Sequence, residues 1–118
     1  MRIEGEARRV SVYIGEADRH DGRPLHQAIV EMLRREGCAG ATVLHGVEGF
    51  GRASRIHSAS VLRLSQDLPV VIEWIDLPER TDRVLPVLEA MVDGGLIVVE
   101  DVRVVKYSAP DAVRPEPS

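Results

Sequence analysis

Gly49-Phe50-Gly51-Arg52 and Asp67-Leu68-Pro69-Val70-Val71-Ile72-Glu73 are the two stretches that decide the fold of this chain. The second stretch opens an apolar run over residues 70–75, which Leu-Pro pairs enclose on both sides, as is typical of a strand in a sheet. The first stretch places glycines around an aromatic residue, a pattern that favours a tight turn. We therefore expect a mobile loop over residues 53–67 that returns into a sheet.

Periodicity in the rest of the chain predicts three more strands and two helices. Apolar side chains alternate in the first strand, whereas spacings of three and four residues indicate the helices. The predicted elements are a strand over 8–14, a helix from Pro24 to Gly37, a strand over 41–47 with a bulge at Gly46, a helix over 79–92 with a kink at Pro86 or a late start near Thr81, and a strand over 96–107 with a bend or an exposed step at Glu100-Asp101.

The predicted order β-α-β-β-α-β is that of an α+β ferredoxin-like sandwich, in which an antiparallel sheet carries both helices on one face. Residues 70–75 and 97–99 are apolar on both sides of their strands, so the other face of the sheet needs a partner. Homo-oligomerisation is the simplest way to cover it. We expect a single domain over residues 1–108 and a disordered tail over 109–118, which is rich in proline.

Composition excludes several classes of protein. The chain has 118 residues, 44% of them apolar, which is enough for one core. Its formal charge is −4, from 15 basic and 19 acidic residues, so nucleic acid is a poor partner. Cys38 is the only cysteine, and no signal peptide or apolar run of about 20 residues is present. We expect a cytoplasmic protein without direct membrane insertion.

The two opening stretches, in that order and at that separation, resemble the nitrogen-regulatory PII signalling family. The chain is still more similar to a group of uncharacterised PII-like proteins, the domain of unknown function 190. Residues 40–43, 49–51 and 64–73 and Ile56-His57 match the sequence pattern of this group. The resemblance implies a PII-like homotrimer whose sheets face inward, with nucleotide clefts between subunits and a loop, here 53–67, that contacts a target protein. A membrane channel or transporter is the kind of target that PII relatives suggest.

The resemblance also implies which residues bind the nucleotide. These are Gly49, Phe50, Gly51, Arg52, His57, Asp93, Gly94, Gly95 and Lys106. The chain departs from PII in three ways: the loop lacks a tyrosine, the Asp93-Gly94-Gly95 turn is short, and Lys106 and Ser108 stand where PII has arginines. The reduced positive charge favours AMP or ADP over ATP as the effector.

Each of these assignments has a simpler alternative. The glycines can simply be required for the conformation of two turns, although convergent backbone N–H groups at such turns also bind anions. Arg52 can be solvated or can pair with phosphate, and we favour phosphate. For Phe50 we favour an anchor of the loop to the core over stacking on a base. Glu73 is better explained by an ion pair at a sheet edge or interface than by catalysis.

Enzymatic activity is not expected, because no nucleophile, base and acid occur in a supporting arrangement. The four histidines His20, His26, His45 and His57 form no recognised ligand motif, so no metal site is predicted. The alternative function is a copper- or zinc-responsive trimer resembling copper-tolerance proteins, with His45 or His57 as the ligand.

Overall fold

A computed structural model describes residues 3–50 and 67–108 of the chain. These residues form β1 (Gly5–Gly15), β2 (Arg19–His20), β3 (Arg23–Pro24), α1 (Leu25–Arg35), β4 (Thr42–His45), β5 (Pro69–Asp76), α2 (Pro78–Met91) and β6 (Leu96–Val104). The four longer strands form an antiparallel sheet in the order β4-β5-β1-β6, and β2 and β3 form a small hairpin. This is the predicted ferredoxin-like α+β arrangement. The predicted loop over 53–66 and the tail over 109–118 lie outside the described residues.

The core lies between the sheet and the two helices. Period-two alternation points one set of strand residues at the helices, and spacings of three and four residues turn one stripe of each helix toward the sheet. Full burial of such side chains stabilises the fold by roughly 1.5–3 kcal/mol each. The buried cluster consists of Val10, Val12, Ile14, Leu25, Ile29, Met32, Leu33, Val70, Ile72, Trp74, Val84 and Leu88.

Helix α1 begins and ends as its sequence predicts. Asp21 and Gly22 both have positive φ in the turn between β2 and β3, and Pro24 then precedes the first helical residue. At the other end Gly37 has a φ of 80°. The N–H of Cys38 donates to the carbonyl of Leu33 at 3.1 Å, which closes the left-handed glycine cap.

Helix α2 contradicts the predicted late start near Thr81, and the helix runs without interruption through Pro86. Pro78 occupies its first turn, where a missing N–H costs nothing, so the helix begins at Pro78. Proline has no N–H, so Pro86 leaves the carbonyl of Asp82 without its usual helical donor. Pro86 and Asp82 are both exposed, on the side of the helix that faces solvent.

Two strands can be compared with their predictions. Strand β6 continues through Glu100 and Asp101, which form the expected exposed step and not the alternative bend, and it ends at Val104; both acids face arginines of β1 across the ladder. Strand β4 is limited to Thr42–His45, and Gly46 makes no bulge. The N–H of Gly46 instead donates to the carbonyl of Pro69 at 2.7 Å, in regular register with the ladder.

Candidate functional site

Four strand ends, with the connecting segments attached to them, meet at one end of the sheet, which we call the loop end. The register pairs His45 with Val70, Gly15 with Pro69 and Tyr13 with Leu96. The exits of β4 and β1, the start of β5 and the turn before β6 therefore lie side by side. Gly49 and Phe50 belong to the first of these connections, and Asp93, Gly94 and Gly95 belong to the last.

The Asp67-Leu68-Pro69 stretch ties the loop end together. The carbonyl of Leu68 accepts a hydrogen bond from the N–H of Glu16 at 2.9 Å, and the carbonyl of Pro69 accepts one from Gly46. The Oδ1 atom of Asp67 accepts from the N–H of Ala17 at 3.1 Å. This motif therefore joins β5 to both of its neighbouring strands, which is a structural reason for its sequence.

Gly49 and Gly95 are both required by close packing. A Cβ atom on Gly49 would lie 2.8 Å from Cγ of Pro69, and one on Gly95 would lie 2.7 Å from the carbonyl oxygen of Tyr13. Real Cβ atoms do not approach so closely. Close packing therefore gives both glycines a structural reason.

Phe50 does not anchor the loop to the core, contrary to the interpretation favoured by the sequence. Its side chain is 76% exposed in the single chain, because β4 ends at His45 and the chain leaves the sheet before Phe50. Asp93 and Gly94 are also exposed. Gly51, Arg52 and His57, which complete the predicted site, lie outside the described residues.

The described residues of the predicted site are spread over the single chain. Gly49 packs against Pro69 at the start of β5, whereas Gly95 of the Asp93-Gly94-Gly95 turn packs against the carbonyl of Tyr13 in β1 and directly precedes the edge strand β6. Lys106 follows the far end of β6, roughly 27 Å from that turn for a nine-residue strand. Tyr107 next to it donates a hydrogen bond to the carbonyl of Ala39 at 3.3 Å, which holds this segment at the end opposite the loops.

The face of the sheet away from the helices, which we call the open face, is apolar with a charged centre. Tyr13, Leu44, Ile75 and Leu96 are exposed there, and they alternate with residues that point at the core. At the centre the Nε atom of Arg9 lies 3.0 Å from Glu100 and 3.8 Å from Glu73. The hydrogen bond and charge of Glu100, with a smaller effect from Glu73, raise the pKa of Arg9. The predicted ion pair of Glu73 is thus confirmed.

Sequence reasoning missed a pair of histidines. His26 in the first turn of α1 and His45 at the end of β4 face each other, with ring centroids 5.5 Å apart. Period-two alternation from Val43 to His45 would have placed His45 on the helix side of its strand, and that signal was available. Among residues 3–50 and 67–108, no group of three or more His, Cys, Asp or Glu could hold a metal ion.

A comparison with family models identifies the chain. The model of the family DUF190, described as Uncharacterized ACR, matches residues 7–104. The chain belongs to the DUF190 family. A UPF0166 protein from Methanocaldococcus jannaschii is 38% identical over 102 residues, which cover 86% of this chain and 94% of the relative. A UPF0166 protein from Aquifex aeolicus is 32% identical over 94 residues, which cover 80% and 89% of the two chains.

Solved structures similar to the DUF190 chain are PII-like. A candidate PII-like signalling protein from Thermus thermophilus superimposes with a TM-score of 0.60 at 23% identity, covering 86% of this chain and 91% of that one. CPII from Thiomonas intermedia, bound to ADP, AMP and acetate, superimposes with a TM-score of 0.55 at 18% identity, covering the same shares of the two chains. The DUF190 chain therefore has the PII-like fold. No helix within residues 3–50 and 67–108 is long and apolar enough to cross a membrane.

Proposed function

We propose that this DUF190 protein is a PII-like regulatory protein and not an enzyme. Its homotrimer binds an adenine nucleotide, AMP or ADP, in clefts between subunits, and residues 53–67 then contact a target protein. The nucleotide favours one arrangement of this loop through its different contacts in the two states. Support comes from the fold and from CPII, which has been solved with ADP and bicarbonate and with ADP, AMP and acetate.

The placement of the two glycine turns carries the proposal. Gly49, which packs against Pro69 of β5, and the Asp93-Gly94-Gly95 turn before β6 lie at the same end of the sheet. We place the nucleotide between two chains, where this end of one subunit lies beside the next. Packing the open faces against one another around an axis gives this juxtaposition and buries their apolar side chains. Lys106 joins such a cleft only from a neighbouring subunit.

The small number of cations near the proposed cleft favours a nucleotide with few phosphates. Arg52 and Lys106 are the basic residues that the family pattern assigns to it, and the turn at Asp93-Gly94-Gly95 offers a short stretch of backbone N–H groups. The Asp93 carboxylate is exposed in that turn and repels additional negative charge. AMP and ADP are therefore better matched than ATP.

Isothermal titration calorimetry with AMP, ADP and ATP tests the binding proposal. We expect heat of binding with AMP or ADP, and a loss of roughly 10- to 150-fold in affinity for Arg52→Ala, the range for a charge-assisted hydrogen bond. Lys106→Ala should weaken binding in the same direction. The matched control is Arg34→Ala, which removes an exposed cation in the last turn of α1 and should leave affinity unchanged. Absence of heat with all three nucleotides would refute the proposal.

A pull-down tests the regulatory part separately. Wild-type protein should capture a target in a nucleotide-dependent manner, and a variant with residues 53–66 replaced by a Gly-Ser linker should not. Capture that is the same with and without nucleotide, or with the linker variant, would contradict a role of this loop as the nucleotide-controlled contact.

A further inference from the structure

His26 and His45 line a groove between the first turn of α1 and the edge strand β4. The groove has a volume of about 350 Å³ and is also lined by Gln27, Val30, Glu31 and Val43. The two ring planes are at 85° to each other, with centroids 5.5 Å apart. Both rings reach solvent, since His45 is exposed and His26 is partly buried. Within the described residues, no carboxylate forms an ion pair with either imidazole.

The distance between the two ring centroids is close to that of two imidazoles on one metal ion. A metal bound at about 2.0–2.1 Å from one nitrogen of each ring, with a tetrahedral angle between the bonds, places the ring centroids roughly 5 Å apart. The angle between the planes is free, because each ring binds the metal within its own plane. Rotation about the side-chain bonds of His26 and His45 would turn one nitrogen of each ring toward a shared ion.

We propose that His26 and His45 together bind a first-row divalent cation, copper(II) or zinc, with water at the remaining positions. Neutral imidazole is a preferred ligand of both ions, and copper(II) binds more tightly than zinc to a given set of nitrogen ligands. Glu31 adds a carboxylate to the same groove and is held by Arg23 at 2.7 Å. It balances part of the positive charge of the ion.

Along the chain, residues 36–41 connect α1 to β4. A bound ion would add a second link between these two elements. His45 directly precedes Gly46, where β4 leaves the sheet toward Gly49. The ion would hold the last residue of this four-residue edge strand against α1. An ion that binds the folded chain and not the unfolded one raises the melting temperature, and the rise grows with the logarithm of the free ion concentration above its Kd.

Copper(II) titration followed by electron paramagnetic resonance tests this proposal on the full-length protein without nucleotide. We expect one copper per chain with coupling to two imidazole nitrogens and a raised melting temperature. His26→Ala and His45→Ala should each weaken binding at least tenfold and abolish the melting shift. His20→Ala, which lies in the β2–β3 hairpin outside the groove, should change neither.

Two further measurements complete the test of the metal site. Circular dichroism of each alanine variant without metal shows whether it is folded, and zinc calorimetry repeats the comparison with the weaker ion. Unchanged copper affinity in folded His26→Ala or His45→Ala protein would overturn the proposal, whatever the nucleotide titrations give.

Discussion

Gly95 has no room for a side chain, and this gives the sharpest test at the scale of one residue. A Cβ atom would lie 2.7 Å from the carbonyl oxygen of Tyr13 and 3.2 Å from Cγ2 of Ile14, and the φ of Gly95 is 157°. A carbonyl in the middle of the sheet cannot move without shifting β1. We expect Gly95→Ala to lower the free energy of unfolding by about 2–3 kcal/mol, measured by urea denaturation.

The control for this substitution is Gly40→Ala. A Cβ atom on Gly40 meets nothing within 4 Å, and the φ of Gly40 is not positive, so its unfolding free energy should change little. Equal stability of the two variants would contradict a packing role for Gly95. If Gly95→Ala is destabilised as expected, a loss of nucleotide binding in this variant would have a structural cause, which is why the binding proposal is tested at Arg52 and Lys106.

Asp76 shows what single residues in a sequence do not reveal. The aspartate at the end of β5 is fully buried. Its carboxylate accepts hydrogen bonds from the N–H of Ala39 at 2.9 Å, from the N–H of Leu77 and from Arg80 at 2.7 Å. Leu77 and Arg80 are close in sequence, but Ala39 is 37 residues away. No local pattern predicts that contact, so the sequence marks Asp76 only as an acid after an apolar strand.

At the scale of elements, Pro86 is the residue of α2 that fits its position least well. It lies inside the helix, where its ring removes one backbone hydrogen bond and crowds the preceding turn. Because Pro86 is exposed, alanine would fit there without leaving a cavity. Part of the gain is offset by the greater entropy of the unfolded chain. We expect Pro86→Ala to stabilise the protein by about 1–2 kcal/mol and to raise its melting temperature.

Glu89→Ala provides the comparison, because it changes another exposed residue of α2 without altering the backbone. Differential scanning calorimetry should show a higher transition for Pro86→Ala than for Glu89→Ala. A lower transition for the proline variant would mean that Pro86 makes a stabilising contact, for example with another subunit.

Elements that depend on neighbouring residues were predictable, and those that depend on distant residues were not. The cap of α1 at Gly37 and the turn at Asp21-Gly22 follow from backbone conformations that few other residues adopt. The straight course of β6 through Glu100 depends instead on Arg9, which lies 91 residues away. Two adjacent acids favour a bend only when nothing across the ladder neutralises them.

At the scale of the whole molecule, the candidate site was predictable only as a set of positions. The sequence places Gly49 and the Asp93-Gly94-Gly95 turn at strand ends, and the sheet order brings both to the loop end. It does not reveal that two strands separate β4 from β6, or that Lys106 lies at the other end of β6. Strand order within a sheet is set by pairing between remote segments, and contacts between chains add a further level that one sequence does not specify.

The open face provides the decisive test of assembly. Tyr13 and Leu96 are 43% and 56% exposed there in the single chain of 13.0 kDa. If three open faces pack together, a carboxylate at position 96 would be buried without a partner, at a cost of several kcal/mol. We expect sedimentation equilibrium at micromolar concentration to give three times the chain mass for the wild type and a smaller species for Leu96→Glu.

The control is Val87→Glu, on the exposed side of α2, which should remain trimeric. A Leu96→Glu trimer would place the interface elsewhere, and a monomeric wild type would remove the shared cleft that nucleotide binding requires.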